Sequence, residues 1–426
     1  MISKKRGFDY LIFLSLVCFG FVGSLSHFFN IILIIIVLYH VACRKFSSNS
    51  SKINKNSKVL YAALSAIFFF FLIRGMFHTN PLESLDSLSP MLPLPIIGLL
   101  VISSTDDELR ITAAKLALYA KISIAIAFII YCLFTTILKG YYGLNIYSIW
   151  RLELFSGNPI PFSTATFGLT IFCLANWKNA KKFDKLLTIV CFLIGMYLSG
   201  ILSGTRGTFV AIIVSLPILF WFISNSFLIF LFVTVCLVST GWIAQINGLD
   251  LIDFQIFQRI TKGFETLTTT KNTDISVNVR LDLWAACIKT IQNIPIFGYD
   301  VSNRFSSIQA NLPDNFRYTF THPHNDIFAA IISVGFLGAL LSVFSLLAPI
   351  WAALMSQDEK DTRLFLGLTI TVSTLATATV NTVFFNDITS AWLAFATFLI
   401  WNLKYAEKGK RDIKSKHPGK LKFENG

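Results

Sequence analysis

The sequence predicts an all-α integral membrane protein with about twelve transmembrane helices. The first observation is composition: 54% of the 426 residues are hydrophobic, only 14% are charged, and the mean hydropathy is +0.65. A chain this apolar does not fit a soluble domain. The second observation is that apolar runs long enough to cross about 30 Å of hydrocarbon recur along the chain. We therefore expect a single polytopic membrane domain over residues 1–426.

Twelve apolar runs are the predicted transmembrane spans. One of them, 91–104, is short and contains Pro93 and Pro95, and the narrow gap between 207–223 and 226–246 could be drawn differently. The total of twelve depends on both points. The twelve runs are 8–26, 28–43, 59–77, 91–104, 113–137, 160–177, 186–203, 207–223, 226–246, 327–354, 363–380 and 388–403.

Basic residues predict the orientation of these spans, because lysine and arginine accumulate in short cytoplasmic loops. They are concentrated at the N-terminus, in 44–58, in 178–185 and in the tail 404–426, which we therefore place in the cytoplasm. The alternate segments then face away from the cytoplasm, into the periplasm if the cell is Gram-negative. The formal net charge of +13 follows from these loops, so we expect no nucleic-acid partner.

Residues 247–326 form one large predicted periplasmic loop that contains short helices. Apolar residues recur at helical spacing from Val279, with Ser276 or Asn278 as the N-cap, and Pro295 ends the helix. Loops of this length are usually functional or disordered. We expect the helix to lie on the membrane surface or to cover a cavity between spans.

The first candidate site residue is Arg206, which stands between two glycines at the junction of two apolar spans. An arginine at that depth needs a partner. The ordinary alternative is a side chain that reaches up to the lipid head groups. The functional alternative is an anion-binding arginine, because glycine lets a ligand approach the backbone closely.

The second candidate is Arg280, near the start of the predicted loop helix. Helix N-termini favour anions, and a guanidinium offers a fork of donors that matches phosphate oxygens. An arginine beside Asp282 on a solvated helix face is the ordinary alternative.

The third candidate is the segment 321–326, Thr-His-Pro-His-Asn-Asp, before the span that begins near Ile327. A metal site would be incomplete, because His322 and His324 have no third ligand at a suitable spacing, so we expect no metal. We place His324 in the first turn of the helix, where the helix dipole and any nearby arginine disfavour imidazolium. A neutral histidine can act as a general base. The alternative is a histidine that only caps the helix.

Together the three candidates share one predicted face of the membrane, and the arrangement resembles the O-antigen ligase family (WaaL type). This family lies within a superfamily that also contains O-antigen polymerases and protein O-oligosaccharyltransferases. The resemblance covers roughly residues 190–345 by motif and the rest by hydropathy. The matching pieces are Thr205-Arg206 between spans, Arg280-Leu281 followed by Pro295 to Gly298, and His324-Asn325-Asp326 before a span.

The resemblance implies a metal-independent, inverting glycosyl transfer at the periplasmic face, without a cofactor. The donor would be an undecaprenyl-pyrophosphate-linked glycan, the acceptor a sugar hydroxyl of lipid A-core, and membrane lipids would surround the protein. Arg206 and Arg280 would bind the departing pyrophosphate, and His324 would be the catalytic base. Supporting roles fall to His322, Asn325 and Asp326.

The acceptor remains open within the superfamily. A single large outer loop favours an O-antigen ligase over a protein transferase, whereas an O-antigen polymerase is the nearer alternative. A membrane transporter is a third alternative, but the polar residues gather at one face, and the sequence shows no inverted repeat of the kind that many transporters have.

Overall fold

The computed structural model describes most of the membrane helices and the second half of the large loop. Over the described residues the chain is almost entirely helical, which confirms the all-α prediction. The described residues are 4–21, 35, 37, 54–77, 81–103, 110–142, 159–203, 205–224, 266, 274–314, 316, 318, 320, 322–355 and 360–404.

Fourteen α-helices are defined within these residues and are numbered in chain order. They are α1 (Lys4–Phe21), α2 (Lys55–Met76), α3 (Pro81–Leu88), α4 (Pro93–Ser103), α5 (Ala113–Tyr142), α6 (Pro159–Phe172), α7 (Lys182–Met196), α8 (Arg206–Ser224), α9 (Ile275–Gln292), α10 (Arg304–Gln309), α11 (Asp326–Leu346), α12 (Ala348–Met355), α13 (Lys360–Val380) and α14 (Asp387–Trp401). Short 3-10 or π turns follow α3, α6 and α7, and strands Ile111–Thr112 and Leu403–Lys404 pair in parallel.

Seven of the described helices are long and apolar enough to cross a membrane, or eight if one bent pair is counted as a span. The bent pair is Pro81–Met91 with Pro93–Ile102, which meet at 51° where the sequence placed the proline-containing run 91–104. The predicted span 226–246 lies outside the described residues, as does 28–43 except for Ile35 and Val37. A multi-pass membrane protein is therefore supported, whereas the count of twelve is not confirmed.

The centre of the bundle is formed by α6 and α14, which are buried along almost their whole length. The absence of a side chain at Gly168 lets the two helices pack closely, since a Cβ there would lie 2.1 Å from the indole of Trp392. At 15 residues, α14 reaches only about 22 Å, less than the hydrocarbon thickness. Protein rather than lipid surrounds this helix, so it does not need to match the thickness of the membrane.

The predicted span 327–354 corresponds to a helix that is long and apolar enough to cross a membrane, but it is not one continuous helix to residue 354. The structure divides it into α11 and α12, and α11 itself is broken at Val334 and Gly335, whose φ angles are −137° and 79°. The break lies eight residues into α11, or roughly 12 Å along the helix at 1.5 Å per residue. A broken helix within a membrane must satisfy its freed carbonyl groups, because lipid offers no hydrogen bonds.

The loop that follows α9 satisfies the carbonyl groups at this break. The backbone N–H of Tyr299 donates to the carbonyl oxygen of Ile332 at 2.7 Å, and that of Asp300 donates to Ser333 at 2.8 Å. We call residues 295–300 the docked turn. It joins the large loop directly to a membrane helix.

Glycines on both sides allow this contact. Gly298 has φ 71°, and a Cβ there would lie 2.5 Å from the Ser333 carbonyl carbon; a Cβ on Gly335, φ 79°, would lie 2.1 Å from the carbonyl oxygen of Ile296. Arg74, to which the sequence assigned no role, fixes the turn by donating from Nε to the Phe297 carbonyl at 3.2 Å.

Replacing Gly335 by alanine is expected to destabilise the protein. The substitution combines a left-handed φ, which costs of order 1–3 kcal/mol for a residue with a Cβ, with an overlap against backbone that cannot move freely. The midpoint of thermal unfolding in detergent should therefore fall by several degrees. Gly98→Ala is the matched control, because its Cβ would meet side chains rather than backbone, the nearest being the Tyr61 ring at 3.1 Å. Equal unfolding midpoints for the two variants would contradict the close packing of the docked turn against the break in α11.

Candidate functional site

A cavity of about 190 Å³ lies where α8, α9 and α13 meet beside the start of α6. Arg206 and Arg280, two of the three candidates, both line it, although they are far apart in sequence. The remaining lining residues are mostly apolar or hydroxyl-bearing: Ile160, Thr205, Gly207, Thr208, Ser276, Val277, Leu281, Trp284, Thr377 and Val380. The loop helix α9 therefore covers a cavity between spans, which is one of its two expected placements.

The N-cap of α9 is Asp274, so the predicted caps Ser276 and Asn278 were wrong. The Asp274 carboxylate oxygen Oδ1 accepts from the Val277 N–H at 3.1 Å, and the helix begins at Ile275. Aspartate is a strong N-cap because its oxygen satisfies one of the amides that a helix start leaves free. The earlier start places Ser276 and Arg280 on the first two turns, facing the cavity.

Arg206 is the first residue of α8, and its guanidinium is paired with a carboxylate. Its Nη2 donates to Oδ2 of Asp274, which is only 9% exposed. The buried Nε of Arg206 has no hydrogen-bond partner among the residues the structure describes. The expected partner of this arginine is therefore a side chain 68 positions later, and a donor remains beside the cavity.

Arg280 ties α9 to the last turn of α13. Its Nε donates to the Val380 carbonyl oxygen at 3.2 Å, and its Nη1 donates to the Ser276 carbonyl oxygen at 2.9 Å. A helix C-terminus leaves carbonyl groups without intrahelical donors, which makes it a favourable place for a cation. These contacts hold Arg280 in the cavity wall.

His324 lies one residue before the N-cap of α11, not in the first turn as predicted. Asn325 is the cap, because its Oδ1 accepts from the N–H groups of Ile327 at 2.9 Å and Phe328 at 3.1 Å. His324 adopts φ 53°, a left-handed conformation that is uncommon for a residue with a Cβ. Strained conformations of this kind are concentrated at functional sites.

Asn381, just beyond α13, orients the His324 ring. Nδ1 of His324 and Oδ1 of Asn381 are 3.3 Å apart. Because the amide oxygen only accepts, Nδ1 carries the proton in this arrangement, and Nε2 keeps its lone pair. The sequence placed Asn381 in a short connecting segment and gave no sign of this role.

Both histidines are held neutral. Burial lowers the pKa of His324 from the ordinary 6.5, and the positive charge of Arg280 lowers it further, while the bond to Asn381 opposes the shift. Burial, then His324 and Arg304, lower the pKa of His322 to about 3. The two rings are in edge contact, with centroids 4.5 Å apart. The prediction of a neutral His324 thus agrees with the structure, although burial is the main cause.

Arg304, the first residue of α10, is a buried cation that the sequence did not single out, and its charge acts on His322. Its guanidinium carbon lies 4.0 Å from the centroid of the Phe385 ring, which gives it a cation–π contact. Burial lowers its pKa to about 10, and the carboxylate of Asp326 opposes that shift. Arg304 therefore adds to the positive charge that keeps His322 neutral.

Asn325 and Asp326, expected to support the site, fix its backbone. Asn325 caps α11 and donates from Nδ2 to the Thr379 carbonyl oxygen at 3.4 Å. The buried Asp326 carboxylate accepts from the Val383 N–H. The first contact joins the start of α11 to the end of α13, and the second joins it to the segment that follows α13. No group of three His, Cys, Asp or Glu side chains within the described ranges is placed to hold a metal ion.

The end of α13 therefore connects the candidates. Thr377 and Val380 line the cavity with the two arginines, Val380 accepts from Arg280, and the adjacent Asn381 contacts His324. His324 does not itself line the cavity, so the structure places the arginines together and the histidine next to them. Such an arrangement can bind a doubly charged anion and offer a neutral base nearby.

The match to a known family agrees with this geometry. Residues 187–343 match the family model described as O-antigen ligase, and the match includes Arg206, Arg280 and His324. It supports the O-antigen ligase family and confirms the resemblance seen in the sequence. No curated protein matches the chain.

Proposed function

We propose, from the O-antigen ligase domain that residues 187–343 carry, that this chain is an O-antigen ligase. It would transfer an O-antigen glycan from undecaprenyl pyrophosphate to a sugar hydroxyl of lipid A-core. The transfer would take place at the periplasmic face of the inner membrane, with both termini of the chain in the cytoplasm. An O-antigen polymerase of the same superfamily is the alternative.

One observation carries the proposal: two arginines from distant parts of the chain face one cavity that apolar and hydroxyl side chains otherwise line. A pyrophosphate carries two phosphate groups, and the fixed positive charge and several N–H donors of a guanidinium suit phosphate oxygens. The surrounding apolar side chains strengthen these contacts by excluding water. The apolar lining thus suits the lipid part of the donor, and the two arginines suit its pyrophosphate.

On the donor side, the arginines act on the leaving group. The bond between the anomeric carbon and the pyrophosphate oxygen breaks, and its electron pair stays on that oxygen. Negative charge therefore grows on the pyrophosphate in the transition state, where Arg206 and Arg280 neutralise it. Two fixed guanidinium groups fill the role that a divalent cation has in many phosphate-leaving reactions, so the proposal requires no metal.

On the acceptor side, His324 acts as the base. Nε2 takes the proton of the acceptor hydroxyl while the hydroxyl oxygen forms the new bond to the anomeric carbon. With Nδ1 bonded to Asn381, the imidazolium that results keeps a hydrogen-bond acceptor. A single displacement of this kind inverts the anomeric configuration, and it needs no second carboxylate of the kind that glycosidases use.

The dependence of the rate on pH should follow His324. Its pKa lies below 6.5, so the base remains deprotonated down to a lower pH, and kcat/KM is lost as the pH falls through that lowered pKa. The midpoint of the acidic limb should therefore lie below pH 6.5. In Asn381→Asp, a carboxylate beside Nδ1 stabilises imidazolium and should move the midpoint upward. Two results would contradict His324 as the base: a midpoint above pH 6.5 in the native protein, or the same midpoint in Asn381→Asp as in the native protein.

The cell-level test is the lipopolysaccharide of a deletion strain. If the chain is the ligase, the strain should carry bare core and accumulate lipid-linked polymer. The native gene should restore long bands, and Arg280→Ala expressed at an equal level should not. Core that bears one repeat unit would instead identify a polymerase and overturn the ligase assignment.

A further inference from the structure

Asp274 stands at the junction of the two arginine-bearing helices. One carboxylate oxygen caps α9, on which Arg280 lies, and the other pairs with Arg206 at the start of α8. The backbone N–H of Asp274 also donates to Oγ1 of Thr266 at 3.0 Å, which fixes the residue from the preceding part of the loop. Asp274 is thus fixed by three contacts, with the Val277 N–H, the Arg206 guanidinium and the Thr266 hydroxyl.

A carboxylate is an unexpected neighbour for an anion-binding arginine. If Arg206 served only to attract phosphate, Asp274 would weaken binding, because it cancels one of the two positive charges that face the cavity. The pairing has a second effect, however: because Asp274 accepts from one nitrogen of Arg206, it fixes the orientation of the whole guanidinium group. The buried Nε of Arg206 has no partner within the described part of the chain, so this donor is held beside the carboxylate contact.

We propose that Asp274 is a positioning residue that fixes Arg206 and the helix carrying Arg280 in one geometry for the pyrophosphate leaving group. This inference rests on the proposed function. Since Arg280 lies six positions after Asp274 on the same helix, the cap and the ion pair together set the separation of the two guanidinium groups. Asp274 acts through the arginines and does not itself contact the substrate.

The test is Asp274→Asn, which keeps a good N-cap and the side-chain shape but removes the charge. We expect kcat to fall about 10- to 100-fold, the effect of a misplacement of order 1 Å, with the KM for the lipid-linked donor unchanged or lower. The double variant Asp274→Asn with Arg206→Ala should be no slower than Arg206→Ala alone, because the two residues act as one unit. Asp274→Ser, also a good cap, replaces the asparagine variant if it folds poorly.

Asp282→Asn is the matched control, since it removes an exposed carboxylate from the same helix without touching either arginine. Activity of Asp274→Asn equal to this control would overturn the inference. So would an unchanged kcat per folded molecule with a lower unfolding midpoint, which indicates a purely structural cap. A raised KM with an unchanged kcat would also overturn it.

A second measurement separates this inference from the proposed function. Inorganic pyrophosphate should raise the unfolding midpoint of the native protein and of Asp274→Asn, but not that of Arg206→Ala. If the native protein binds pyrophosphate but transfers no glycan, the proposed function fails. If the native protein transfers glycan and Asp274→Asn equals it, only the role of Asp274 fails.

Discussion

His324→Ala is expected to reduce glycan transfer by about 10² to 10⁴-fold while the protein remains folded in the membrane, since that is the usual contribution of a general base. The sugar hydroxyl is a poor nucleophile and depends on the neutral Nε2 to take its proton. The variant should keep its affinity for inorganic pyrophosphate, because His324 does not line the cavity of the arginines. Transfer by purified protein, at matched amounts of folded material, measures the loss.

His322→Ala is the comparison for this experiment. His322 touches the His324 ring, and its pKa of about 3 keeps it neutral, so its removal should cost less than removal of His324. Equal and complete loss in both variants, with activity restored by added metal, would replace the general-base role with a metal site.

Arg206→Lys and Arg280→Lys should each lose roughly 10- to 100-fold in transfer, and the alanine variants about 10² to 10³-fold. Lysine keeps the charge but offers no fork of donors to phosphate oxygens. For Arg280 the structure adds a second reason: its Nε and Nη1 hold two carbonyl oxygens on different helices, at 3.2 and 2.9 Å. A single ammonium cannot reproduce that geometry.

Arg110→Lys is the control for both variants, because Arg110 precedes the strand Ile111–Thr112 and does not line the cavity. It should transfer glycan at the native rate. Near-native transfer by both Arg206→Lys and Arg280→Lys would mean that only charge matters, as for side chains that reach the head groups. The pyrophosphate-binding role would then be withdrawn.

The local parts of the site were visible in the sequence because they depend on short-range patterns. Arg206 stands between two apolar runs, and helical periodicity identified the helix that carries Arg280. The His-Asn-Asp segment was recognisable because it precedes an apolar run. Positive-inside counting placed all three at one end of the bundle, and the structure brings them together around the end of α13.

The long-range partners were not visible. Asp274 lies 68 positions from Arg206, and Asn381 lies 57 positions from His324, so no local spacing connects them. Arg304 occupies a polar stretch of the loop, and only the fold shows that it is buried. Residues of this kind are placed by tertiary packing, which a single sequence does not reveal.

The break in α11 was missed for a different reason. Gly335 lies in an unbroken apolar run, and glycine is common in membrane helices, so it resembles the nearby Gly338. The distinguishing feature is the docked turn, whose N–H groups replace the helical donors of Ile332 and Ser333. Periodicity of one segment cannot show that another segment supplies its hydrogen bonds.

The most direct test of the central claim is transfer by the purified native protein, with undecaprenyl-pyrophosphate glycan as donor, lipid A-core as acceptor and a chelator present. The two-arginine site with a histidine base predicts a core-linked product whose new linkage has the inverted anomeric configuration. Retention of configuration, or a requirement for divalent metal, would contradict the single displacement. Lengthened lipid-linked glycan with no core-linked product would contradict the ligase assignment itself.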